Sequence, residues 1–314
     1  MLDSAAGLHR ADRIIWLLTV GVAAIVLAAA AVFDFTVVWR SFLAPGATVV
    51  VLVAGQWLYR TRRPDPRLGG ALGATAQLIA FAAVAAPLSY LGAALALPLR
   101  DGWFDGIDRA SGFDWRALLT FMNVNATLHP AFRAIYLSLM PQTVVVVLAL
   151  GWAGKLSQLR AFMLAFILST LAVIAVAAVV PAAGVWAYYD IQPADFPNIV
   201  PATRELHLAV FNGLRDGSFR LLLGAGAEGI ITFPSLHSAL AVLLAAALWP
   251  IPVLRWIGAA INAVMLVSIP VDGGHYFIDM LAGIVIAIIA LYAATRMVQR
   301  NDATAAPAAI ALAK

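Results

Sequence analysis

The stretch FPSLHSAL, residues 233–240, leads into an apolar run that meets no Asp, Glu, Lys or Arg before Arg255. Pro234 suits the first turn of a helix, and the Ala- and Leu-rich run after it has the hydropathy of a membrane segment. The stretch therefore predicts a membrane helix that opens with His237 already inside it. A proton-titrating ring near hydrocarbon is costly and must face a partner or a wet cavity, so His237 marks a candidate site. What meets it decides both the fold and the chemistry.

The rest of the chain supports the membrane setting. It is 63% hydrophobic and 11% charged over 314 residues, whereas a soluble domain carries about 25% charged residues. This excludes an ordinary soluble domain. The net charge of +4 comes from Arg residues scattered between apolar runs, with no basic patch for nucleic acid. Cysteine is absent, so any covalent chemistry falls to Ser, His, Asp, Glu, Tyr or Lys.

Apolar windows of about 20 residues occur near 14–33, 42–58, 71–96, 133–153, 161–185, 233–250, 255–272 and 275–296. The expected architecture is an all-α polytopic bundle of about eight transmembrane helices; the second window is short, and seven results if it is interfacial. Residues 1–70 are read as N-terminal transmembrane helices, 71–297 as the membrane core and 298–314 as a disordered cytoplasmic tail. Arg10 and Arg13 before the first apolar run predict an uncleaved signal anchor, although the small residues Ala28–Ala31 would permit cleavage. With eight spans, 12 basic and four acidic residues share the side that holds both termini, against 8 basic and 12 acidic on the other. Both termini are thus expected in the cytoplasm, with a bacterial inner membrane as the setting. Seven tryptophans, Trp186 among them, fall near expected helix ends, as an aromatic belt would. On the non-cytoplasmic face, segments 97–131 and 186–232 read as interfacial helices and long loops, either a cap or a substrate lid.

A second stretch, SIPVDGGHYFIDMLAG at 268–283, places His275 and Asp279 four residues apart. On a helix they share a face, and the carboxylate can fix the imidazole tautomer. From His237 the chain runs to Pro250, turns, and returns to Asp272, a hairpin that brings both histidines to one side of the membrane. Each then sits near a helix N-terminus, where free amides suit an anion. Ser235 can donate to a phosphate oxygen, and Gly273-Gly274 allows close backbone approach. Two imidazoles, a carboxylate and anion-binding amides suit phosphoryl chemistry better than acyl transfer, because no serine sits in a nucleophile elbow. A structural His–Asp pair, a proton relay of a transporter and an inactive lipid-binding scaffold are the alternatives the residues leave open. His129 and His207 are read as structural and His9 as solvent-exposed.

At these residues the sequence resembles the type 2 phosphatidic acid phosphatase superfamily, and within it the inositolphosphotransferase branch typified by inositol phosphorylceramide synthase. Pro234, Ser235 and His237 match the motif Pro-Ser-Gly-His, with Leu236 in place of glycine. Ser268, His275 and Asp279 keep the spacing of the last motif, but Ile269 stands where arginine is expected. The first motif, a Lys followed by Arg-Pro, is missing: no basic residue lies between Arg160 and Arg204. The branch tolerates these departures and reads Pro-Ser-x-His and His-Tyr-x-x-Asp, as PSLH and HYFID do here.

The resemblance implies a six-helix phosphatase-like core and a lipid-linked phosphate ester as substrate, handled without cofactor or metal. His275 would form a phosphohistidine, Asp279 would hold its ring, and His237 would protonate the leaving oxygen. Hydrolysis of a lipid phosphate or polyprenyl diphosphate is the alternative to transfer. With the motif arginines absent, Arg215 and then Arg220 are the candidate cations, Arg215 because LRDG reads as a turn that aims it inward. Ser235, Gly274 and Arg215 are the expected phosphate ligands. Glu228 and Asp272 would repel phosphate unless paired with an arginine.

Overall fold

In a computed structural model, residues 10–203 and 205–311 are described, with backbone alone for Glu205 and residues 301–311. The expectation for His9 lies outside them. The described chain is a bundle of helices: α1 (Arg10–Val32), α2 (Arg40–Thr61), α3 (Pro66–Ala93), α4 (Asp101–Ala110), α5 (Trp115–Val124), α6 (His129–Leu137), α7 (Leu139–Trp152), α8 (Leu156–Val179), α9 (Val185–Tyr188), α10 (Glu205–Asp216), α11 (Leu236–Leu248), α12 (Pro252–Asp272) and α13 (Phe277–Ala311). Two short strands, β1 (Thr36–Val37) and β2 (Leu221–Leu222), pair in parallel and tie the α1–α2 turn to the chain after α10.

All eight expected apolar segments are helical, but only six helices have the length and hydropathy to cross a membrane unaided. α6 and α7 pass only as a pair bent by 51°, and α11 has 13 residues. At 1.5 Å per residue α11 reaches about 20 Å, short of a hydrocarbon core of about 30 Å. By length and hydropathy, six helices among the described residues qualify as spans, or seven with the bent pair. α2, the window suspected of being interfacial, is a full 22-residue helix packed on α3. The long helix α13 carries helical backbone to Ala311, into the segment 298–314 expected to be disordered; the final three residues lie outside the described chain.

The helix ends follow local chemistry. Asp65 caps α3 by accepting from the Arg67 and Leu68 amides, with Pro66 at the first position. Asp114 caps α5 through the Ala117 amide, and Ser235 caps α11 through that of Ser238. The main apolar core joins Ile15 of α1, Phe81 of α3, Phe162 and Ile167 of α8, Leu240 and Leu244 of α11, Met265 of α12 and Ala287 of α13. Asp12 of α1 meets Arg60 of α2 at 3.3 Å and Arg160 of α8 at 3.8 Å, fastening the first two spans to α8 at one end. Small residues allow the closest approach: a β-carbon on Gly283 would stand 2.2 Å from the Ser235 carbonyl oxygen, so α13 presses directly on the start of α11.

Trp39, Trp57, Trp152, Trp249 and Trp256 are half or more exposed, as an aromatic belt requires. Trp186 is not: it is buried, and its indole N–H donates to the Val271 carbonyl at 3.1 Å. It belongs to a second apolar cluster with Phe104, Trp115, Ile199 and Tyr276, which joins the segments expected to cap the bundle to the chain just before α13.

Candidate active site

The cap and the catalytic segment meet at the linker between α12 and α13, residues 273–276. Tyr276 and Phe277 stack against the cap: Phe104 faces both Tyr276 and Phe233, and Phe113 lies over Phe277. Three carboxylates of α4, at positions 101, 105 and 108, recur at helical spacing and therefore face one way. Asp101 accepts from the Ala183 and Gly184 amides at 3.0 and 2.8 Å and from the Tyr276 hydroxyl at 3.0 Å. Asp108 accepts from the Phe277 and Ile278 amides at 2.6 and 3.0 Å, occupying donors that the start of α13 leaves free. Asp105 bonds the Tyr189 hydroxyl and pairs with Arg109 at 2.9 Å. Burial pushes the Asp108 carboxyl up against the pull of its two amides. It also raises the Tyr276 phenol, with Asp101 acting in the same direction.

This clamp positions the expected pair. Asp279 Oδ2 accepts from the Tyr276 amide at 2.9 Å and faces His275 Nδ1 at 3.3 Å. That contact directs a proton to Nδ1 and leaves the Nε2 lone pair as the reactive one. Nε2 stands 3.4 Å from Ser235 Oγ, at the N-terminus of α11. The Ser235 amide donates to the Asp279 carbonyl at 3.0 Å, and the Ser238 hydroxyl donates to that of Met280 at 3.1 Å, so the two helix starts are fixed to each other. His237, in the first turn of α11, lies within electrostatic reach of His275, as does His207. Burial, then these two rings, hold His275 down to about 3, and it is a neutral imidazole at ordinary pH. The Tyr136 ring stacks on His237 with centroids 4.0 Å apart and planes 11° from parallel.

The structure thus brings together His237, His275, Asp279 and Ser235. Gly274 adopts φ +65, and a β-carbon there would meet Trp186 at 2.4 Å. Its carbonyl accepts from the Val185 amide. Glycine is required here for packing of the linker on the cap, and a β-carbon on Gly273 would likewise meet His275 and Tyr136.

Arg215 is elsewhere. Leu214, Arg215 and Asp216 of LRDG form the last turn of α10, and the chain turns only at its final residue, Gly217, with φ +88. The Arg215 guanidinium lies over Phe211 and donates to the Leu97 carbonyl at 2.9 Å. Arg220 lies over Phe35. Ile269, where a motif arginine was expected, is fully buried with Tyr136 and Met280, so a charge there would have no water. Ser268 is spent on its own helix, donating to the Met265 carbonyl.

Six residues near the site were given no role there by the sequence reading, His129 among them as a structural histidine. The α4 carboxylates carried a signal in their spacing of four and three. Tyr136, Arg133 and His129 carried the same signal on α6. His129 Nε2 stands 3.4 Å from Asp272 Oδ1, and the charge of Arg133 acts on both residues. Asp272 is therefore associated with Arg133, not with Arg215 or Arg220. Among the described residues no group of three His, Cys, Asp or Glu side chains is arranged to hold a metal ion.

A family model described as the PAP2 superfamily matches residues 103–293, from the cap into the first half of α13. No curated protein and no solved structure matches the chain.

Proposed function

The chain belongs to the PAP2 superfamily, and from that premise we propose that it is an integral membrane phosphotransferase or phosphatase acting on lipid-linked phosphate esters through a phosphohistidine. The single observation that carries the reading is the line Asp279–His275–Ser235: a carboxylate on Nδ1, and Nε2 directed at a helix N-terminus beside a second imidazole.

The chemistry follows from those positions. His275 Nε2 attacks phosphorus as the bond to the leaving oxygen breaks, and Asp279 stabilises the positive ring that results. His237 gives its proton to the leaving oxygen. It then takes a proton from water or an acceptor alcohol, whose oxygen attacks the phosphohistidine and releases His275. Ser235 and the free amides at the start of α11 meet charge on the equatorial oxygens. Each step uses only side chains and backbone of this chain. An alcohol as acceptor makes the protein an inositolphosphotransferase-like enzyme, and water makes it a hydrolase. The arginine-rich side deduced from the sequence for eight crossing segments, the short α11 counted with them, supports an active site on the opposite, non-cytoplasmic face.

The test is purified protein in detergent with a panel of labelled phospholipids, with and without an alcohol acceptor. Transfer or release of phosphate that disappears in His275→Ala, together with a phosphoenzyme labile to acid and stable to base, is the expected result. Normal turnover by His275→Ala would refute the assignment.

A further inference from the structure

Helix α10 starts between the two segments that deliver the catalytic side chains. Just ahead of it, Thr203 donates its amide and its hydroxyl to the Asp272 carbonyl, at 3.1 and 2.9 Å, three residues before His275. One turn further on, His207 Nδ1 stands 2.6 Å from the carbonyl of Gly229, in the strap that leads six residues later to Ser235. That strap is anchored in turn, because the Glu228 amide donates to the Tyr90 hydroxyl at 2.8 Å. The sequence reads His207 as structural. Its place between the two approaches to the site, and its charge, felt at His275, give it a further use.

A carbonyl only accepts, so Nδ1 carries the hydrogen and Nε2 is the atom left to titrate. The Phe211 ring, from the next turn of α10, lies 12° from parallel to the imidazole with centroids 6.5 Å apart. Burial holds the ring below its usual value, against the pull of the Gly229 carbonyl and the Glu228 charge, so it is neutral at pH 7.5. Among the described residues, the titratable groups coupled to it from other elements are Glu228 on the strap and His275 on the linker. A bound anion favours the charged ring, and the charged ring has a second N–H to give. The phosphotransfer scheme still needs such a group: Arg215 and Arg220 lie elsewhere, and the charge of Arg133 acts on Asp272.

We propose that His207 is the phosphate-binding cation of the centre, donating Nε2–H to a non-bridging oxygen of the substrate in place of the missing motif arginines. The ring takes its proton from solvent as the phosphate ester binds and returns it as product leaves. The half-buried position thus carries positive charge only while the site holds negative charge. Binding is therefore coupled to proton uptake, and affinity strengthens as pH falls toward about 6.5 and weakens as it rises. The inference rests on the phosphotransfer reading of His275 and His237 and adds to it the group that grips the phosphoryl oxygens.

The experiment uses the full chain in detergent and sulfate, a tetrahedral anion that does not itself titrate near neutral pH. Calorimetry in buffers of different ionisation enthalpy counts the protons taken up on binding, and kinetics on the labelled phospholipids follow the substrate. Wild-type protein, His207→Asn, His207→Gln and His275→Asn are compared, each checked for an intact unfolding transition. Asparagine can still donate to Gly229 in the manner of Nδ1 but has nothing at the position of Nε2. Glutamine gives up the Gly229 bond and places an uncharged N–H near Nε2. Wild-type protein and His275→Asn are expected to take up a proton with sulfate at pH 7.5, and both His207 variants to lose that uptake. Sulfate affinity and kcat/KM should each fall about tenfold to a hundredfold in His207→Asn, and less in His207→Gln. Unchanged uptake in His207→Asn overturns the inference. A larger loss in His207→Gln than in His207→Asn also overturns it, since His207 would then serve only to hold the strap. Weakened sulfate binding with lipid turnover unchanged assigns the site to a free anion and overturns its role in catalysis. If sulfate binding depends on His207 while wild-type protein turns over no lipid, the phosphotransfer reading fails and the anion site stands. His275-dependent turnover that is indifferent to both His207 variants fails this inference alone.

Discussion

Asp108 of α4 accepts hydrogen bonds from two consecutive amides, those of Phe277 and Ile278, and thereby caps a helix that begins 169 residues later in the chain. The capped turn contains Asp279, and the linker before it contains His275. A residue with no contact to the reacting atoms thus sets the orientation of those that have it. In Asp108→Asn one acceptor oxygen is replaced by a donor facing a backbone N–H. Loss of about 1 kcal/mol in stability is expected. The kcat should fall by about tenfold to a hundredfold with KM nearly unchanged, because bound substrate is held elsewhere. Steady-state kinetics on a lipid phosphate check this split; a rise in KM alone contradicts it.

Asp279→Asn tests the partner of the imidazole directly. The amide retains the size of the side chain but can turn its NH₂ toward His275 Nδ1, which favours the tautomer whose proton sits on Nε2, the atom that must attack. The expected loss in kcat is about 10²- to 10⁴-fold, with the fold preserved. Transient phosphoenzyme should fall in the same proportion, since the step affected is its formation.

Much of this was legible beforehand, for identifiable reasons. Uninterrupted apolar runs located the membrane helices, and the four-residue spacing of His275 and Asp279 survives any helical context. The hairpin between His237 and His275 followed from chain length alone. What stayed hidden depends on partners far along the chain: nothing near Asp101 or Asp108 announces that they serve residues 276–278. Arg215 misled because LRDG has turn composition, while the helix, held by Val210, Phe211 and Leu214 in an apolar cluster, continues to Asp216. Ile269 shows the converse, a motif departure whose cause is a buried apolar contact.

The stack of Tyr136 on His237 predicts that the ring matters and its hydroxyl matters less. Tyr136→Phe retains the face against the imidazole and should keep most of kcat. Tyr136→Leu removes a contact of about 0.5–1.5 kcal/mol and frees the general acid to rotate; a drop in kcat of about tenfold is expected. Equal activity of the two variants would show that the stack does not orient His237.

Stability should depend on pH in a direction fixed by His275. In the unfolded chain this ring takes a proton near pH 6.5, whereas in the fold burial holds it down to about 3. Between these values the unfolded state binds more protons, so the contribution is lost as pH falls from about 6.5 toward 3 and is complete above 6.5. The unfolding temperature in detergent should therefore decline from pH 7.5 to pH 5, and less steeply in His275→Asn. A parallel decline in both proteins would place the acid sensitivity in other groups.

The last prediction concerns a residue with no functional group. Gly283 lies on α13, one turn beyond Asp279, where α13 crosses the start of α11, and an added β-carbon would stand 2.2 Å from both the Ser235 carbonyl oxygen and the Ser238 hydroxyl. The backbone oxygen cannot swing aside as a side-chain tip could, so Gly283→Ala must push the two helix starts apart. Overpacking of this kind costs about 1–3 kcal/mol. The displacement falls on the contacts that join the helices, the Ser235 amide to the Asp279 carbonyl and the Ser238 hydroxyl to that of Met280. It also moves Ser235 Oγ away from His275 Nε2, now 3.4 Å apart. Gly283→Ala should thus lose turnover out of proportion to its stability, while Gly21→Ala, where nothing lies within 4 Å of the added carbon, should be unaffected. Measuring both variants for unfolding temperature and kcat separates the geometric effect from general damage to the bundle, and full activity in Gly283→Ala would mean that the site tolerates a wider gap between its two helices.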